Sequence, residues 1–122
     1  MSSAPILSLR ARALDVPMKK PFGIAGGAQV EAKNVLVELR VAGDLRGWGE
    51  GAPFPAFNGE TQAQVLEACT KAAPLLEGCE LHDDARIRDH VREACSGSPS
   101  AGCAIETAVF DARARFAGRS LR

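Results

Sequence analysis

A chain of 122 residues, 46% apolar and 25% charged, is long enough to bury one core and too apolar to remain disordered. Its 15 Lys and Arg balance its 15 Asp and Glu, which excludes the basic excess on which nucleic-acid and anionic-membrane binders depend, and the sequence gives no sign of a basic face. No run of about 18 apolar residues spans a membrane, and residues 1–9 lack the order of a secretion signal, so the expectation is a cytoplasmic protein with no nucleic-acid or membrane partner.

Residues 6–16 alternate: Leu7, Leu9, Ala11 and Ala13 fall on one side and Arg10 and Arg12 on the other, the period of a half-buried strand. Pro17 and Pro21 are read as its end, because proline cannot donate to a ladder. Residues 18–27 then read as a loop. A second strand follows over 34–41, with Val35, Val37, Leu39 and Val41 opposite Leu36, Glu38 and Arg40. Ala42-Gly43-Asp44 reads as a tight hairpin turn. Residues 45–51 return as a third strand whose glycines signal a close backbone approach or a bulge.

Residues 53–59, rich in Pro, Phe and Gly, read as a second loop. The period then changes to helical. Thr61 caps a first helix reaching about Lys71, with Pro74 ending or kinking it. Asp83 or Asp84 caps a second, with Ile87, Val91 and Cys95 spaced by four and Ser96-Gly97 as its stop. Ser98 and Pro99 open a third helix, running to about Ala117 with Gly118 as its cap. Its small residues (Ala101, Gly102, Ala104, Ala108, Ala112, Ala114) suit close packing on more than one side, one side being the sheet and another a second domain. The order predicts an α+β fold: a three-stranded antiparallel meander followed by a three-helix layer, as one domain over residues 1–122.

Several side chains are read as structural. Cys69, Cys79, Cys95 and Cys103 have no CxxC spacing and read as small core residues. Trp48 reads as core, Glu50 as a hydrogen-bonding or ion-pairing residue, Asp111 as a carboxylate capped by backbone N–H groups, and His82 and His90 as solvated. The late arginines, Arg113, Arg115, Arg119 and Arg122, suit the end of a helix.

Four stretches in series resemble the N-terminal capping domain of the enolase superfamily: Pro17-Met18-Lys19-Lys20-Pro21-Phe22; Asn34-Val35-Leu36-Val37-Glu38-Leu39; Gly47-Trp48-Gly49-Glu50-Gly51-Ala52-Pro53 with Gly59-Glu60-Thr61; and Ser100-Ala101-Gly102-Cys103-Ala104-Ile105-Glu106 leading to Phe110-Asp111-Ala112-Arg113-Ala114. The likeness is to the muconate-lactonizing subgroup and, within it, to dipeptide epimerases of the L-Ala-D/L-Glu type. N-succinylamino acid racemase/o-succinylbenzoate synthase and muconate cycloisomerase share the same domain and are alternatives. A stand-alone interaction module is a third reading.

The resemblance implies a partner (β/α) barrel carrying lysine bases and the carboxylates that bind Mg²⁺. None of those residues is matched in this chain, so it is expected to hold no catalytic residue and no metal and to be inactive alone. It also implies that two loops close over a small dipeptide-like substrate. The substrate-facing candidates are Phe22, Ile24, Gly26 and Gly27 in the first loop and Phe54, Phe57 and Asn58 in the second. For Phe22 a place in the module's own core is equally open. Acidic-dipeptide epimerases place an arginine in the first loop; this chain has Gly26-Gly27 instead, which implies a small or apolar second residue. Without the barrel, the third helix is expected to expose an apolar patch and to self-associate.

Overall fold

The computed structural model describes residues 3–24, 27–53, 55 and 59–120, with the side chains of 16–24, 27–32 and 120 outside that description. Strands β1 (Ile6–Ile24), β2 (Gly27–Val41) and β3 (Leu45–Gly51) form one antiparallel sheet with β2 in the middle. Helices α1 (Gln62–Leu76), α2 (Asp84–Cys95) and α3 (Pro99–Ser120) follow. They cover one sheet face: α1 lies against β1, α3 against β3, and α2 packs on α1. This is the α+β architecture that the sequence predicts.

The core follows the strand period. Val35, Val37, Leu39 and Val41 point at the helices and are almost fully buried, as are Val65, Cys69, Leu76, Leu81 and Ile105 beneath them. The turn after β2 has both Gly43 and Asp44 in the left-handed region, φ 85 and 59, the requirement that selects Gly and Asp in a tight hairpin. Thr61 caps α1 through a capping box: its hydroxyl accepts from the Gln64 N–H, and the Gln64 side chain accepts from the Thr61 N–H. Asp83 caps α2 by accepting from the Arg86 N–H.

Several expectations are corrected. The loop predicted over residues 18–27 is strand: β1 and β2 remain paired from Pro17↔Glu31 to Ile24↔Gly27. β1 is an edge strand, where a proline's missing N–H can face away from the ladder. The register slips between Pro17 and Phe22, so that four residues of β1, 18–21, oppose Val30 alone. The second irregularity, between Ile6 and Ser8, throws Leu7 off the inner face, leaving it 52% exposed. Pro74 does not end α1. Near the C-terminus it removes a single helical bond, and the helix stops when Gly78 takes φ 86 just past the cap. Gly118 is no cap, since α3 runs on to Ser120, with Arg119 donating to the carbonyls of Gly43 and Asp44 at 2.6 and 2.9 Å.

The small residues of α3 serve this chain's own elements. Ala101, Ala104, Ala108 and Ala112 are fully buried. A Cβ on Gly47 would overlap the Ala108 carbonyl oxygen, and one on Gly49 the Ala104 carbonyl oxygen. The glycines of β3 thus let α3 lie directly on the strand. The outward side of α3 carries one large exposed apolar residue among those described, Phe110 at 62%, beside exposed Glu106 and Thr107. That mixture is smaller and more polar than the expected apolar patch.

Among the described residues no helix covers the other sheet face. Trp48 sits there half-buried rather than in the core, because the glycines at 47, 49 and 51 take the inner positions. Alternation also gathers Arg10, Arg12, Arg40 and Arg46 on this face, a basic cluster that residues scattered over 37 positions conceal in the sequence.

Candidate functional site

The end of the sheet where β3 stops is the candidate site. The last pair of β3 is Val35↔Gly51, whereas β1 and β2 continue to Ile24↔Gly27. The eight further residues of β2 carry this two-stranded ribbon about 26 Å beyond the sheet at ~3.3 Å per residue. β3 also ends at this end of the sheet, at Gly51, and the chain re-enters regular structure at Gln62. Gly59, at φ 77, donates its N–H to the Pro55 carbonyl at 2.9 Å.

The backbones of Phe22, Ile24 and Gly27 therefore lie near the tip of the ribbon, Phe22 opposite Gln29 and Ile24 opposite Gly27. Gly26, Phe54, Phe57 and Asn58 lie outside the described residues, as do the side chains of Phe22 and Ile24. Both loops start from one end of the module, and their substrate-facing roles remain expectations of the resemblance.

Side chains not singled out in the sequence anchor the base of the ribbon and the end of the 52–60 segment. Gln62, at the start of α1, donates to the Asp15 carboxylate and to the Asn34 carbonyl, each at 2.8 Å. It ties the helix to both arms of the ribbon where they leave the sheet. The Asn34 side chain in turn donates to Glu50 at 2.6 Å, which gives Glu50 the hydrogen-bonding role expected of it.

Glu60 is the stronger anchor. It is only 5% exposed. One carboxylate oxygen accepts from the Ser98 hydroxyl at 2.6 Å and the Ser100 N–H at 3.1 Å; the other accepts from the Ser100 hydroxyl at 2.7 Å. Burial pushes its carboxyl pKa up, but the bonds from Ser98, Ser100 and the Ser100 backbone together outweigh it and hold the pKa below the usual value. The positive end of α3 favours the same charged form. Consecutive residues thus serve two helices: Glu60 fastens the base of the second loop to α3, and Thr61 caps α1. The available signal was an acid next to a helix cap, matched by a Ser-Pro-Ser helix start forty residues on.

Chemically this edge positions groups. Its carboxylates are engaged as acceptors, and Glu60, with its lowered pKa, is a poor proton acceptor at neutral pH. Among the described residues no three His, Cys, Asp or Glu side chains converge as a metal site, so the Mg²⁺ implied by the resemblance finds no ligand set here. His82 packs edge-on against Phe116, with ring centroids 4.9 Å apart. Asp111 is half-buried and accepts from the backbone N–H of Trp48 at 2.9 Å and from Arg115 at 3.2 Å, as a structural carboxylate does. Arg113 donates to the Leu81 carbonyl and to Asp84. Cys69, Cys79 and Cys95 are buried, and burial, with a smaller contribution from Cys95, pushes the Cys69 thiol up to about 12. Cys103 departs from the core role expected of it and is exposed.

Known proteins share this arrangement. The aromatic dipeptide epimerase of Herpetosiphon aurantiacus is 36% identical over 110 residues, covering 90% of this chain and 31% of that protein. The L-Ala-D/L-Glu epimerase of Thermotoga maritima is 30% identical over 82% of this chain and 29% of its own length. A dipeptide epimerase from Enterococcus faecalis, solved with Mg and the dipeptide L-Leu-L-Tyr, superposes with a TM-score of 0.86 at 28% identity, covering 93% of this chain and 32% of that one. The chain thus spans about a third of the length of these relatives. Residues 8–122 match the family described as mandelate racemase/muconate lactonizing enzyme, N-terminal domain, and with that match added to the meander and the helix layer, this chain belongs to that family.

Proposed function

We propose that this chain caps a dipeptide epimerase and sets its substrate preference, with a (β/α) barrel as its partner and proton abstraction beside a carboxylate as the reaction. The observation that carries this reading is the single edge from which the ribbon and the 52–60 segment both leave, each fastened at its base by Gln62 or Glu60. Loops held this way can close over a barrel mouth, exclude water and contact the part of the substrate that does not react. Relatives named as dipeptide epimerases support the class of substrate. The Mg²⁺ in this reading belongs to the barrel, and no step of this chain runs through it. A racemase of N-succinyl Arg/Lys from Bacillus cereus is 24% identical, a likeness that shows the fold alone, so nothing specific favours the succinylamino-acid alternative.

The preferred dipeptide carries an apolar second residue. Neither 22–27 nor 53–59 contains a charged side chain. An acidic side chain enclosed there would lack a partner, which costs several kcal/mol. Relatives named for aromatic and for hydrophobic dipeptides support this. The test is a dipeptide panel run on the chain joined to its barrel. Apolar dipeptides are expected to show the larger kcat/KM. Gly27→Arg is expected to shift preference toward Ala-Glu by about 1–3 kcal/mol through a charge-assisted contact. A wild type that already prefers Ala-Glu, unmoved by the new arginine, would place the determinant in the barrel.

A further inference from the structure

The face of the sheet opposite the helices is built for contact, and nothing in the capping role uses it. Across its three strands the outward positions read Ser8, Arg40, Arg46; then Arg10, Glu38, Trp48; then Arg12, Leu36, Glu50. Four arginines stand against two glutamates. Glu38 is taken by Arg46 at 3.4 Å and Glu50 by Asn34. Arg10, Arg12 and Arg40 form no ion pair with any described residue. Between them lies a shallow hollow of about 370 Å³, with the outward side chains of Leu36 and Trp48 among Arg10, Arg12 and Glu38 in its lining. Leu7, displaced outward by the bulge, stands exposed at one end of β1.

We propose that this face docks an extended acidic peptide segment of another protein. The guanidinium groups of Arg10, Arg12 and Arg40 supply forked donors for carboxylates, and Trp48 and Leu36 supply apolar ground between them; Arg and Trp are among the residue types enriched in protein hot spots. The size of the face sets the form of the occupant. From Leu7 to Leu14 it runs about 23 Å, and the outer strands lie about 10 Å apart. An area of roughly 250 Å² is far below the ~800 Å² per partner of a stable globular interface, but it suits a strand-like segment. A second copy of the chain is disfavoured, since a two-fold contact would set this arginine-rich patch against itself. Nucleic acid is disfavoured because the two glutamates sit among the arginines and the chain as a whole has no net charge to attract phosphates.

The test is fluorescence anisotropy of a labelled, end-blocked peptide with Glu or Asp at every second position and Leu between, titrated with the full encoded polypeptide at moderate salt. Saturable binding is expected, weakening as salt rises. A peptide with Lys in place of the acids should not bind. Arg10→Glu with Arg12→Glu should reduce affinity at least tenfold, Arg10→Gln and Arg12→Gln singly by less, and Arg88→Glu on α2 not at all. In the 122-residue chain, whose only tryptophan is Trp48, peptide binding should also shift the emission. Equal binding of acidic and basic peptides, or insensitivity to every Arg10 and Arg12 variant, overturns the proposal. So does displacement of the peptide by an equimolar single-stranded oligonucleotide or by anionic vesicles, or a dimer whose formation removes Trp48 from water.

Discussion

Glu60 is the residue through which local chemistry most affects this module. Its carboxylate is buried and accepts three hydrogen bonds from the start of α3, and bonds to a charged acceptor contribute about 1.5–3 kcal/mol together with the penalty avoided by the buried donors. Glu60→Gln should therefore destabilise the fold by about 1–3 kcal/mol at pH 7 in urea unfolding. The folded pKa is lowered from 4.5, so the stabilisation is present above that value and is lost as pH falls through the lowered folded pKa. The gap between wild type and Glu60→Gln should accordingly narrow below about pH 4.5; a gap that stays constant down to pH 3 would show that the ionised form is not what stabilises. The thiols provide a second residue-scale expectation. Cys69 and Cys95 are buried, and burial foremost raises their pKa values, whereas Cys103 faces solvent. A thiol reagent at pH 8 should label one cysteine quickly under native conditions, and Cys103→Ser should abolish that phase. Neither feature is fixed by local sequence: the acid beside the Thr61 cap and the Ser-Pro-Ser helix start are each visible, but nothing local pairs them across forty residues, and the outward side of an alanine-rich helix has no local mark.

Among the elements, β3 and α3 show why composition alone misleads. The sequence marks the glycines of 47–51 as a place of close approach and α3 as a helix able to pack closely. Their mutual contact explains both features, since Gly47 and Gly49 admit the carbonyls of Ala108 and Ala104. Gly49→Ala should cost about 3 kcal/mol, the upper range for overpacking, because the obstructing atom is backbone and cannot rotate away. Gly51→Ala should cost about 1 kcal/mol or less, since its added carbon would lie 3.1 Å from the Ser100 carbonyl oxygen and needs only a small adjustment. Thermal unfolding of the two variants checks the order, and equal losses would contradict this account of the packing. The ribbon teaches the converse lesson. Prolines at 17 and 21 argue locally against a strand, yet β1 lies at the sheet edge and keeps its pairing to Ile24. Whether a proline ends a strand depends on which neighbours that strand has.

At the scale of the whole molecule, the chain covers about a third of its relatives' length, and the two proposals rest on two separate surfaces, the loop-bearing edge and the arginine-rich sheet face. If catalysis resides in the barrel, the 122-residue chain alone should not epimerise any dipeptide, as followed by exchange of the α-proton with solvent deuterium; exchange by a preparation shown by mass to be free of longer forms would refute the capping role. The sequence by itself determined the class of fold, the inner face of β2, the turn at Gly43-Asp44 and the cap at Thr61, and narrowed the cap of α2 to Asp83 or Asp84. Each depends on residues a few positions apart, where period and hydrogen-bonding reach are local. Tertiary structure alone decided that Trp48 lies outside the core, that α3 spends its alanines on β3, that Glu60 latches a loop to a distant helix, and that four scattered arginines form one face. These depend on which elements become neighbours, and that follows from burying one face of the sheet, a condition met only by the chain as a whole.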